Sequence, residues 1–300
     1  MKDQGKAFLL AGLTMLSWST VSTASKVALA SISPMQLAFT GTAVAAVFLL
    51  CVMAATGHMR DFLALSPRQY GTGVSLGCTL CVYFFFLFSG YERLPIQIAQ
   101  PLNYTWTLVF SLLAAWKMKQ PLSIRELLWM LVAYSGVVVI TSGASGVLGA
   151  LSFAGLAYVA ASTVVYASYW LINMKNDAPS QTGLVLCFAA CCALAACAMA
   201  ARGEAFVFPL RPALAAAYVG LFDLGIPYIL WSMAIRLSSS AARISTIPFF
   251  GPFLGLVWIR IILHEPIAWT TLPGLALIAG GTFMQQRAAS GRKNGRKAQS

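Results

Sequence analysis

Apolar residues run along the chain in stretches of about 20, each closed by Pro, Gly or a charged residue. A helix of about 20 residues spans the roughly 30 Å hydrocarbon core of a bilayer. The pattern predicts ten such helices, at 8–30, 34–56, 70–91, 95–116, 125–142, 152–174, 182–201, 213–236, 241–263 and 270–286. Pro34, Pro95 and Pro212 stand near predicted starts, where a missing N–H costs little. The linkers are too short to hold a domain outside the membrane.

Composition points the same way. The chain is 59% hydrophobic and only 9% charged, whereas soluble domains carry roughly 25% charged residues, so its surface must face lipid. Lys2 and Lys6 precede the first run as in a signal peptide, but the length of that run and the nine that follow predict an uncleaved first helix. The net charge is +12, yet the Lys and Arg residues lie scattered between apolar runs. The one cluster, Arg292-Lys293-Asn294-Gly295-Arg296-Lys297, reads as a solvated end beside anionic lipid and not as a nucleic-acid site.

The cations also orient the chain. With the N-terminus inside, the inner segments hold Lys2, Lys6, Arg60, Arg68, Lys117, Lys119, Arg125, Lys175, Arg236, Arg243, Arg287, Arg292, Lys293, Arg296 and Lys297. The outer side keeps Lys26, Arg93, Arg202, Arg211 and Arg260. The positive-inside rule then puts both termini in the cytoplasm of a bacterial-type inner membrane.

The two halves of the sequence match. GLTMLSWSTVSTAS at 12–25 and GLAYVAASTVVYAS at 155–168 share Gly, Leu, Ser, Thr, Val, Ala and Ser at one offset. Gly77 then meets Gly220, and Arg93-Leu94 meets Arg236-Leu237. After a two-residue shift Gln120-Pro121 meets Glu265-Pro266, and Gly136 meets Gly281. The predicted fold is therefore an all-α membrane protein of two five-helix repeats, 8–142 and 152–287, with a basic tail at 288–300. Five is odd, so the second repeat enters the membrane inverted, a common plan for secondary transporters that hold substrate near the midplane.

The second half reads LGIPYILWSMAIRLSSSAARISTIPFFGPFLGLVWIRIILHEPIAWTTLPGLALIAGGTF. It resembles the EamA-like domain of the drug/metabolite transporter superfamily, with Pro248, the acidic turn Glu265-Pro266, and Gly274, Gly280 and Gly281 in the places that family shows. The resemblance runs over about 8–287 as two copies, and the first copy has Gln120-Pro121 in place of the acidic turn. Trp18-Ser19-Thr20, Gly90-Tyr91 and Asn103-Tyr104-Thr105-Trp106 resemble the aromatic amino-acid exporter branch (the YddG type), with Thr107 where a Pro often stands. The likeness implies ten helices with both termini cytoplasmic.

Polar side chains within lipid-spanning helices are costly and should face a cavity or another helix. Ser19, Thr23 and Lys26 share a face of the first helix, and Gln100, Asn103 and Thr107 share a face of the fourth, beside Tyr104 and Trp106. In the sixth, Ser162, Tyr166, Tyr169 and Asn173 line up, with Trp170 adjacent; in the eighth, Tyr228 and Trp231 are one turn apart. Together with Trp18 and Tyr83 these are the candidate cavity walls. Interhelical bonding by Ser, Thr and Asn and the interfacial Trp/Tyr belt are the competing reading, which takes Trp129, Trp258 and Trp269. Asp223 is the one carboxylate well inside a predicted span. It can bind a proton, pair with Lys26 or reach an aqueous vestibule.

No cofactor or metal is expected. Cys78 and Cys81 have no second pair or nearby His, and the seven cysteines read as small buried side chains. His264-Glu265-Pro266 has no second His at helical spacing, and no G-x-x-x-x-G-K-[ST] loop offers ATP drive. The expected function is export of amino acids or related metabolites by alternating access, with a monomer sufficient and an ion or substrate gradient as the energy source. The alternatives are an exporter of cationic drugs, an intramembrane enzyme acting on a lipid-linked substrate, and a scaffold or channel.

Overall fold

The computed structural model describes residues 3–117, 122–148, 151–174, 176–207, 209–238 and 247–297. Among these residues all regular structure is helical. Helix α1 spans Gln4–Leu29, α2 Pro34–Ala55, α3 Met59–Leu63 and α4 Pro67–Arg93. Local chemistry sets the starts. Asp3 accepts from the Lys6 N–H at 3.1 Å. Ser33 with Gln36, and Ser66 with Gln69, form capping boxes ahead of an N-terminal Pro, which satisfy two donors reciprocally.

Helices α5 (Ile96–Tyr104) and α6 (Trp106–Lys117) follow, then α7 (Ile124–Leu148), α8 (Phe153–Asn173) and α9 (Ser180–Ala201). Next come α10 (Leu210–Val219), a π-helical turn at Gly220–Gly225, and α11 (Ile226–Leu237). A 3-10 turn at Ile247–Phe250 leads into α12 (Gly251–Trp258), a second π turn at Ile259–Leu263, and finally α13 (Thr271–Lys297). Seven helical stretches among the described residues are long and apolar enough to cross a membrane: α1, α2, α4, α7, α8, α9 and Leu210–Leu237. The predicted run at 95–116 is not one continuous helix, because it divides at Thr105. Pro101 inside α5 supplies no N–H, and the Thr105 N–H and hydroxyl both turn back to the Leu102 carbonyl, at 3.1 and 2.7 Å. Residues 241–246 of the predicted ninth run, and Gln120-Pro121, lie outside the described residues.

Lipid tails are as apolar as Leu, so helices associate through close packing at small residues. A Cβ on Gly77 of α4 would lie 2.6 Å from the Ala190 Cβ of α9. One on Gly220 would lie 2.5 Å from the Gly41 carbonyl of α2. Helices α7 and α13 meet likewise, with Gly274 against the Gly136 carbonyl and Gly281 against the Ala133 N–H, each 2.6 Å from a built Cβ. Around these crossings Leu49, Leu76, Phe84, Leu87 and Phe188 fill the main core.

The end opposite the termini is tied by polar side chains. Gln97, in the first turn of α5, donates to the Pro266 carbonyl at 2.8 Å. Its other atom accepts from the Ala268 N–H at 3.0 Å and the Thr271 hydroxyl at 2.9 Å, at the start of α13. In return the Glu265 carboxylate lies at the N–H groups of Ile96 and Gln97, a favourable place for an anion. Burial pushes the Glu265 carboxyl above its usual range, against the pull of the Lys26 ammonium.

Candidate functional site

The site is built around a break in the α10–α11 helix. Pro227 has no N–H, and the chain before it widens into the π turn, where the Ile226 N–H reaches back five residues to the Leu221 carbonyl. The carbonyls of Phe222 and Asp223 both face the donor that Pro227 lacks. Helix α1 satisfies them: the Ser17 hydroxyl donates to Phe222 O at 2.7 Å, and the Trp18 indole N–H donates to Asp223 O at 3.1 Å. Short π segments of this kind are frequent at functional sites. The Asp223 side chain is half-buried and has no ion-pair partner among the described residues.

Aromatic rings surround this turn from both halves of the chain. Trp18 packs on Trp231 at 5.8 Å between ring centroids and edge-on to Tyr228 at 6.2 Å. Across the interior, Tyr83 stacks on Tyr166 at 4.3 Å, and Trp106 stands edge-on to Tyr166 at 4.8 Å and stacked with Trp170 at 5.9 Å. Tyr169 completes that wall, stacked on Tyr166 at 5.8 Å. The two groups approach each other, since Tyr228 is an electrostatic neighbour of Tyr166 and Tyr169.

Two cavities meet at Trp106. One, of about 390 Å³, lies between α5, α6, α11, α12 and α13, with Tyr104, Trp106, Thr107, Trp231, Thr282 and Gln286 on its walls. The other, of about 360 Å³, shares Trp106, Thr107 and Gln286 and extends to Phe110, Trp170 and Met174. Ligand pockets run from about 300 to 1,000 Å³, so both are of a size for small metabolites.

Not every predicted wall residue is free to meet a ligand. Asn103 is held on both sides, donating to the Tyr83 hydroxyl at 3.2 Å and accepting from Ser162 at 3.3 Å. Gln100 is buried and accepts from Ser22 at 3.0 Å. Ser19 is buried and accepts from the Trp258 indole at 3.0 Å, so Trp258 turns inward, contrary to its expected place in the belt. Trp269, by contrast, is 79% exposed. Lys26 does not pair with Asp223. Its ammonium donates to the carbonyls of Tyr91, Leu94 (2.9 Å) and Glu92 (3.3 Å), capping the C-terminal end of α4, where a cation is favoured. There it lines a third cavity, of about 450 Å³, with Glu92, Arg211 and Glu265.

Helix α13 supplies wall residues absent from the sequence-based set, among them Thr282 and Gln286. Their periodicity within an apolar run is too sparse to mark them. Ser17 was equally silent, although Pro227 four residues after Asp223 signals a freed carbonyl in need of a donor.

Comparison with known proteins fits this architecture. No curated protein matches the sequence. Among solved structures 28 chains match. One is a crystal structure that aligns over 94% of this chain and 96% of its own, with a TM-score of 0.67 and 21% identity, a likeness of fold. The sequence model of the EamA-like transporter family matches twice, over residues 5–142 and 147–285. The chain therefore belongs to the EamA-like transporter family, a multi-pass membrane family of the drug/metabolite transporter superfamily.

Proposed function

We propose that the chain is a secondary transporter that exports amino acids or related small metabolites, by alternating access between two inverted five-helix repeats. Each repeat contributes five spans, both termini are cytoplasmic in the inner membrane, and one chain suffices. The observation that carries this reading is the position of Trp106. It joins the two cavities, and the walls it shares come from α5 and α6 of the first half and α11, α12 and α13 of the second. A site between halves is what rocking of one half against the other opens and closes.

The repeat supports the inversion. Gly77 and Gly220 correspond in sequence, and each marks a crossing between the halves, α4 on α9 and the π turn on α2. The aromatic walls support the aromatic amino-acid exporter branch, because rings supply apolar area while their O–H and N–H groups bond a polar end.

The test is uptake of labelled amino acids into proteoliposomes by the purified protein. Trp106→Ala removes a ring that contacts both Tyr166 and Trp170. Aromatic pairs contribute about 0.5–1.5 kcal/mol each, so transport should fall about fivefold or more while the protein stays monodisperse. Trp269→Ala, at an exposed position, should transport like the parent. Equal transport by both variants would overturn the assignment of the site.

A further inference from the structure

We infer that the Asp223 carboxylate receives the ammonium group of the transported molecule, which makes the substrates zwitterions or organic cations carrying a free amine. The inference rests on the transporter reading and names its substrate class. A charged side chain inside a membrane protein is retained only where it faces a partner or an internal cavity. Asp223 has no ion-pair or hydrogen-bond partner for its side chain among the described residues, yet it keeps accessible surface. The cation nearest in role, Lys26, is held by three backbone carbonyls at the end of α4. The countercharge of Asp223 must then arrive with the ligand.

The surroundings suit an ammonium. Ser17 and Trp18 fix the backbone of the π turn, so the carboxylate is carried on a positioned segment. Trp231, on the wall of the Trp106 cavity with Tyr104, packs on Trp18, whose indole holds the Asp223 carbonyl, so the π turn stands one ring behind that wall. Aromatic faces attract cations, and the tyrosine hydroxyls accept hydrogen bonds from N–H groups. The acid end of a zwitterion would then lie along the cavity, where the Thr282 hydroxyl is buried without a partner among the described residues. An anion lacking the amine meets the same fixed negative charge and is repelled.

Three probes separate the contributions: phenylalanine, phenethylamine and N-acetylphenylalanine. They are used as competitors of labelled phenylalanine uptake in proteoliposomes, and as ligands in thermal-shift titrations of the detergent-purified protein. For the parent, the amino acid and the amine should bind within a few-fold of each other and the N-acetyl acid at least tenfold more weakly. Asp223→Asn should weaken the first two at least tenfold and bind the third as tightly as the parent or more tightly, because the repelling charge is gone; Asp223→Glu should keep most of the preference. The ranking in the parent is decisive even where Asp223→Asn fails to fold. Equal binding of the N-acetyl acid, or equal weakening of all three ligands by the variant, overturns the inference. So does loss of pH-driven accumulation with binding intact, which would make Asp223 a proton site only. If the parent transports none of the probes but still binds the amine through Asp223, the transporter reading fails and the ammonium site stands.

Discussion

At the scale of single residues, the Pro227 break makes Trp18 a positioning residue. Trp18→Phe keeps an aromatic ring against Trp231 and Tyr228 but leaves the Asp223 carbonyl without its indole donor. Leaving a buried acceptor unmade costs about 1–3 kcal/mol. The variant should therefore unfold at lower temperature and bind amines more weakly, and a thermal melt with and without phenethylamine checks both. The run of polar and aromatic residues in the first and eighth helices stands in the sequence, and so does the proline. The pairing does not, because Ser17 and Phe222 are 205 positions apart and only packing brings them together. Lys26 shows the converse. Its charge suggested a partner for Asp223, but the open carbonyls at the end of α4 were nearer, and backbone acceptors leave no charge pattern to read.

At the scale of helices, the runs of about 20 apolar residues foretold where α1, α2, α4, α8 and α9 lie, since hydropathy and length are properties of the run itself. Breaks within runs depend on single prolines and on what can satisfy the carbonyls they free, so the division at Thr105 and the two π turns escaped the pattern. Helix crossings offer a direct check. Gly77→Val and Gly220→Val place side chains where α9 and α2 leave no room. Overpacking of this kind costs about 1–3 kcal/mol or more, and both variants should melt lower and purify poorly. Gly12→Val is the control, because nothing lies within 4 Å of a Cβ there; its melting temperature should match the parent's.

At the scale of the whole molecule, the distribution of Lys and Arg predicts the topology. A reporter fused after Ser300 should be active only as a cytoplasmic reporter, and one inserted between Ser142 and Leu151 only as a periplasmic one; the reverse pattern would overturn the orientation, and both reporters on one side would overturn the inverted repeat. The end opposite the termini makes a second prediction. Gln97→Leu deletes three hydrogen bonds to the turn before α13, so amide exchange over residues 264–271 should speed up by roughly a hundredfold, since each net bond is worth about 1 kcal/mol and tenfold is 1.4 kcal/mol. That turn and the start of α5 hold each other, Gln97 reaching from the first half and Glu265 from the second. Each hook is carried by the segment that the other grips, so the two reinforce each other. On the alternating-access proposal, both hooks would let go together when this end opens, and a half-latched form would be short-lived.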